Sequence, residues 1–124
     1  MTGQPPPIPT IDVTEAARRL REDPGHPVLL DVREPAEFAA VRAPGAFLVP
    51  TSSFMNRIAD LPVDRPLLVV CHTGSRSAAV TGYLSRAGRT DVVNVAGGMD
   101  AWERAGLPVQ RGPVQPGEGE LTEG

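Results

Sequence analysis

Leu67-Leu68-Val69-Val70-Cys71-His72-Thr73-Gly74-Ser75-Arg76-Ser77 opens with four apolar residues, reaches a cysteine and passes into a short polar loop. An Ala-rich helical pattern follows over residues 77–86 and is ended by Gly88. A continuous apolar run bounded by turn residues is the pattern of a strand buried on both faces. Strand, glycine-containing loop and helix in that order form the basic unit of an α/β layer fold.

The same alternation extends in both directions. Upstream, Asp12 or Thr14 can cap a helix that turns Ala16, Ala17 and Leu20 inward and Arg18, Arg19 and Arg21 to water. Asp23, Pro24 and Gly25 end it. Val28, Leu29, Leu30 and Val32 predict a strand interrupted by Asp31, and Pro35 suits the first turn of the helix that follows. Pro44 and Gly45 mark a turn before a strand at 47–49, and residues 51–59 read as a helix with Phe54, Met55 and Ile58 in the core. Downstream, residues 92–95 form the last strand, Gly97 and Gly98 turn the chain, and residues 99–104 form a helix stopped by Gly106 and Pro108. These four strands, with Thr10 and Ile11 ahead of the first helix, alternate with helices and predict an α/β fold, a mainly parallel five-stranded sheet with helices on both faces.

At 124 residues the chain suits one domain. Residues 1–9, with Pro5, Pro6, Pro7 and Pro9, read as a Pro-rich leader, residues 10–109 as the domain, and residues 110–124 as a disordered Gly/Pro/Glu tail. A net charge of -3 excludes a whole-molecule basic field for nucleic acid, and no apolar run is long enough to span a membrane. All 12 basic residues are Arg, from which no function follows. One Cys with His26 and His72 cannot supply a four-ligand structural zinc site or an internal disulfide. No metal or cofactor is expected, and a cytoplasmic, reducing setting is the default.

In an open α/β sheet, ligands bind beyond the carboxyl ends of the strands, which is where Cys71 falls. The loop length lets successive backbone N–H groups converge on one centre, and Gly74 supplies the freedom to turn them. The following helix adds about half an elementary charge and Arg76 a full one, so the Cys71 thiol is expected below its usual value of about 8.5. The alternative reading of Cys71 is a small buried hydrophobe. Against it stands the lack of any apolar side chain from 72 to 77 to seal a thiol in a core. His72 reads as a surface or loop-fixing residue rather than a general base. Thr73, Ser75 and Ser77 can donate to an anion, with Ser77 favoured as the helix cap.

The loop resembles the active-site loop of the rhodanese family: Cys, two variable residues, Gly, one variable residue, then Arg and a small residue. Three further stretches are similar to the family in the same order. They are Leu30-Asp31-Val32-Arg33-Glu34 with Glu37-Phe38; Pro44-Gly45-Ala46 with Pro50; and Val95-Ala96-Gly97-Gly98 with Ala101-Trp102, Gly106 and Pro108. The family's common Gly-His-Ile before the Pro-Gly-Ala turn is replaced by Val41-Arg42-Ala43. Asp31 and Arg33 read as a hydrogen-bonded pair supporting the loop after their strand, and Trp102 as packing.

The resemblance implies a rhodanese-like fold and a sulfurtransferase. Cys71 would be the catalytic nucleophile, carrying sulfur as a persulfide from a small-molecule donor such as thiosulfate to cyanide, a thiol or a sulfur-accepting protein. His72, Thr73, Gly74, Ser75 and Arg76 would bind the substrate, with Arg42 and Arg33 contributing only if they reach the loop mouth. Asp31, Arg33 and Ser77 would support the loop. The related dual-specificity phosphatases place Arg six positions after Cys, whereas Arg76 is five positions on, with Val70 in place of their His. The rival readings are a phosphatase or arsenate reductase of this fold, and a non-catalytic binding module.

Overall fold

The computed structural model describes residues 7–122 as five parallel strands with helices on both faces. The strands are β1 (Thr10–Ile11), β2 (Val28–Asp31), β3 (Phe47–Leu48), β4 (Leu67–Val70) and β5 (Val92–Val95), in the spatial order β1-β5-β4-β2-β3. The helices are α1 (Val13–Glu22), α2 (Pro35–Ala40), α3 (Phe54–Arg57), α4 (Ser75–Arg86) and α5 (Gly98–Arg104). The apolar run at 67–70 is the central strand β4, paired to β2 through Val70↔Asp31 and to β5 through Val69↔Asn94. Most of the expected Pro-rich leader, residues 1–6, lies outside the described residues; Pro9 carbonyl accepts from Asn94 N–H at 2.8 Å.

Alternation along the central strands sorts their side chains into two cores. Leu30, Leu67, Val69 and Val92 pack with Phe54, Val80 and Leu84 on the α3/α4 side, a cluster that also contains Cys71. Leu29, Leu68, Val70 and Val95 pack on the other side with Ala16 and Ala17 of α1 and Met99 and Trp102 of α5. Each fully buried Val, Leu, Phe or Met among them contributes about 1.5–3 kcal/mol. Trp102 is held in this layer by its Nε1–H, which donates to Pro108 carbonyl at 2.8 Å. Asp12, not Thr14, caps α1: its Oδ1 accepts from Glu15 N–H at 2.8 Å.

Three expectations change. The expected 51–59 helix is a single α-turn, α3, between two 3-10 turns at Thr51–Ser53 and Ile58–Asp60, and Met55, expected in the core, is 60% exposed. One turn of helix buries one face only, and Phe54 takes that place. The second helix end to move is that of α4, which begins at Ser75 with Gly74 at its cap, two residues ahead of the expected Ser77.

The third change concerns the tail expected to be disordered. Residues 110–122 fold back along α2 and β3. Arg42 and Gln110 exchange backbone hydrogen bonds at 2.9 and 2.8 Å, Leu48 N–H donates to Gly119 carbonyl at 2.8 Å, and Arg65 Nη1 donates to Thr122 carbonyl at 2.7 Å. The anchor is the buried guanidinium of Arg42. It makes two bonds to the Glu118 carboxylate (2.9 and 2.8 Å), donates to Gly112 carbonyl at 2.8 Å, and lies 5.7 Å from the centre of the Phe38 ring. Composition reports side-chain burial, whereas this segment is held largely through its carbonyl groups and one carboxylate.

Among the described residues no helix is long and apolar enough to cross a membrane. Also among them, Thr81 Oγ1 in α4 is the one buried side-chain oxygen without a hydrogen-bond partner. Thr81→Val keeps the shape and removes an unsatisfied hydroxyl, so a gain of about 1 kcal/mol is expected in urea unfolding. Arg42→Ala, which strands Glu118 and frees the tail, is expected to lose about 2–4 kcal/mol and to make residues 110–122 the first site of limited proteolysis.

Candidate active site

β4 delivers Cys71 to the carboxyl edge of the sheet between β2 and β5, and the chain then turns sharply into α4. The turn requires Gly74, whose φ of 114° lies in the region open to glycine. With the backbone bent this way, Gly74 N–H reaches Cys71 Sγ at 3.1 Å and Ser77 N–H reaches it at 3.3 Å, while Ser77 Oγ lies 3.2 Å from the sulfur. The opening turn of α4 thus points its free N–H groups at one atom.

Cys71 is fully buried, with no exposed surface. On sequence alone burial and reactivity of Cys71 are alternatives, and the lack of any apolar side chain from 72 to 77 favours the second. The structure satisfies both: Cys71 belongs to the apolar cluster on the α3/α4 side, while Gly74 N–H and Ser77 N–H reach its sulfur. Burial pushes the thiol up, but hydrogen bonds from the Ser77 hydroxyl and from the N–H groups of Ser77, Gly74 and Arg76 outweigh it and hold the thiol below its ordinary value.

Backbone contacts from the next turn fix the loop from below. Met99 N–H donates to Cys71 carbonyl at 2.7 Å and Asp100 N–H to His72 carbonyl at 3.0 Å. Gly98 makes that approach feasible, because a Cβ there would stand 2.4 Å from Cys71 carbonyl oxygen and 2.6 Å from that of His72. The second glycine of the Gly97-Gly98 pair is therefore a contact surface for the loop.

The expected site residues separate into groups. His72, Thr73 and Ser75 are exposed on the rim, and among the described hydrogen bonds their side chains make none. Ser77 is buried, with its hydroxyl donating to Asn94 Oδ1 at 2.6 Å and lying within reach of Gly74 carbonyl at 3.2 Å. It thus bonds the cap residue without being the cap. Asp31 and Arg33 form a buried ion pair at 2.7 Å, and the remaining Arg33 donors reach Glu37 carbonyl at 3.2 Å and Val41 carbonyl at 2.7 Å. This pair fixes the loop after β2 and the end of α2. Neither Arg33 nor Arg42 has a guanidinium free for the mouth, since both are committed to these buried partners.

Arg76 also differs from its expected role. Its guanidinium makes two parallel bonds to the Glu37 carboxylate, at 2.7 and 2.8 Å, so its charge is largely balanced by α2. The bonds from Arg76 pull Glu37 down to about 2, against the opposing effect of partial burial, and Glu37 also accepts from Glu34 N–H at 3.0 Å.

Two residues central to this arrangement, Glu37 and Asn94, were not among the site residues expected from sequence. Asn94 carried a readable signal: a lone polar residue in Val92-Val93-Asn94-Val95, a buried strand where its side chain must find a partner. Glu37 stands in the Glu37-Phe38 stretch of the family resemblance, but nothing in the sequence points to its partner, which lies 39 residues away. No cluster of three or more His, Cys, Asp or Glu side chains suited to a metal occurs among the described residues.

The geometry can be set beside known proteins. Residues 12–105 match the family model for the rhodanese-like domain. The chain belongs to this family. It is 36% identical over 99 residues to a sulfurtransferase of Allochromatium vinosum, covering 80% of this chain and 92% of the relative. It is 33% identical over 100 residues to the thiosulfate sulfurtransferase GlpE of Vibrio cholerae, covering 81% and 92% respectively. Among solved structures, a rhodanese-related protein from Thermoplasma volcanium superposes with a TM-score of 0.71 at 32% identity, covering 82% of this chain and 97% of that one. The fold expected from the motifs is thus the observed one, and a rhodanese-domain sulfurtransferase is the activity its relatives support.

The Glu37–Arg76 pair carries a pH signature. With its folded pKa depressed, Glu37 contributes stability that is present above about pH 4.5 and is lost as pH falls toward 2. In Glu37→Gln the decline of the urea midpoint across that acidic window is expected to be shallower than in the unmutated protein, from a lower starting value at pH 7.

Proposed function

We propose that this rhodanese-domain protein transfers sulfane sulfur through a persulfide on Cys71. The observation that carries the reading is the convergence of Gly74 N–H, Ser77 N–H and Ser77 Oγ on Cys71 Sγ at 3.1 to 3.3 Å. These donors hold a sulfur anion without any fixed positive side chain in the loop centre. In the first step the Cys71 thiolate attacks the outer sulfur of thiosulfate. A sulfur–sulfur bond forms to Cys71 as the donor's own breaks, and its electron pair leaves on sulfite. In the second step cyanide or an acceptor thiol, free or on a partner protein, attacks the outer sulfur and returns Cys71 as thiolate. No second cysteine exists to resolve the persulfide internally, so its sulfur must pass to another molecule.

The roles follow from position. Cys71 is the nucleophile, the N–H groups of the 72–77 loop bind the transferred sulfur, and the exposed His72, Thr73 and Ser75 form the rim that a donor or acceptor meets. Arg76 acts mainly by tying α4 to α2 through Glu37. That pairing also argues against the phosphatase reading, because the loop offers no unbalanced guanidinium for a phosphoryl group and no carboxylate within 71–77 for a leaving alcohol.

Intact-mass measurement after incubation with thiosulfate is expected to show one added sulfur atom, removable by cyanide and absent in Cys71→Ser. That variant should also lose at least about a thousandfold in thiosulfate:cyanide activity. An unmodified mass, or aryl phosphate hydrolysis that depends on Cys71, would sink the proposal.

A further inference from the structure

Ser77 Oγ has one proton and three acceptors within reach: Asn94 Oδ1 at 2.6 Å, Gly74 carbonyl at 3.2 Å and Cys71 Sγ at 3.2 Å. The shortest contact takes the proton. In this state the hydroxyl donates to Asn94, so the contact with the sulfur is made by the thiol S–H donating to Ser77 Oγ. A thiolate has no proton to give. It needs the Ser77 proton for itself, and that would leave the lone pairs of Ser77 Oγ and Asn94 Oδ1 facing each other at 2.6 Å.

The Asn94 amide offers the relief. Its Nδ2 makes no hydrogen bond among those of the described residues, and the amide torsion of asparagine is a soft, roughly two-fold rotor. Half a turn brings Nδ2 to face Ser77 Oγ as a donor. Ser77 is wholly buried and Asn94 nearly so at 7% exposure, and the unpartnered Nδ2 is not among the fully buried atoms, so either end of the amide can face Ser77 while the other meets solvent.

We infer that Asn94 is a positioning residue that acts on Cys71 through Ser77 by reversing the sense of their shared hydrogen bond. While the sulfur carries a proton, the amide oxygen accepts from Ser77. Once the sulfur is a thiolate, the amide nitrogen donates to Ser77 and Ser77 donates to the sulfur. The only proton lost from the group is that of the thiol, which passes to water.

The charged groups around this chain of bonds are mostly paired with one another. Asp31 on β2 is bound to Arg33, Glu37 on α2 to Arg76 on α4, and Asp100 on α5 to Arg104; His72 in the loop turns its ring outward. The relay through Asn94 therefore adds a neutral, rotatable donor to a loop whose other donors are fixed in place.

The test is the pH dependence of Cys71 alkylation by iodoacetamide in the full chain, where it is the only thiol. Asn94→Asp retains the acceptor and cannot donate when ionised. It is expected to slow alkylation at pH 7 about tenfold, and to slow it far less when Ser77→Ala is already present. An equal fall in both backgrounds would mean a charge acting through space, and it overturns the inference, as does no fall at all.

A readout without substitution at Asn94 stands beside it. One Nδ2 proton of Asn94 should move downfield in NMR with the Cys71 ionisation midpoint, and remain still in Cys71→Ser; its failure to move in the unmutated protein also overturns the relay. The inference rests on Cys71 being the reactive thiol of the proposed function. Alkylation requires no sulfur donor, so a relay that fails leaves persulfide formation to be judged by its own mass measurement.

Discussion

A sulfur atom with no exposed surface is costly to ionise unless the groups around it replace the water it has lost. At Cys71 that replacement comes from the backbone, because three N–H groups and one hydroxyl at the head of α4 point at Sγ. Everything nearby serves to hold the backbone in that curve. Gly74 supplies the dihedral that starts it, and the turn at Gly98 presses on the Cys71 and His72 carbonyls closely enough to exclude any Cβ. Central β4, hydrogen-bonded on both sides, keeps the origin of the loop from moving.

Charge is used at one remove from this centre. Two ion pairs flank the carboxyl edge of the sheet, Asp31 with Arg33 and Glu37 with Arg76. The pairs are joined through α2, since Arg33 donates to Glu37 carbonyl while the Glu37 carboxylate receives Arg76. This arrangement links β2, α2 and α4 around the loop without leaving a free guanidinium at the sulfur. The outcome suits a site that holds a small, polarizable anion by directed donors rather than by a strong local field.

On the far side of α2, Arg42 shows how one residue can reverse a compositional expectation. Eleven of the 15 residues in 110–124 are Gly, Pro, Glu or Gln, and little in them can be buried. Yet a guanidinium brings five donors in a fixed plane, and here they are matched by Glu118 and by carbonyls of the returning chain. Val41-Arg42-Ala43, where the family resemblance weakens, is thus where this chain binds its own C-terminal segment.

The order of strands and helices, the place of Cys71 at the end of β4 and the Asp31–Arg33 pair were all legible in the sequence, because each depends on short-range pattern. Period-two or continuous apolar runs, glycine punctuation and residues two apart are local properties. Arg76 turning to Glu37, Asn94 joining Ser77, the burial of Cys71 and the return of residues 110–122 to Arg42 were decided only in three dimensions. Those contacts join residues 17 to 76 positions apart, and hydrogen-bond direction and solvent exclusion have no periodicity along a chain.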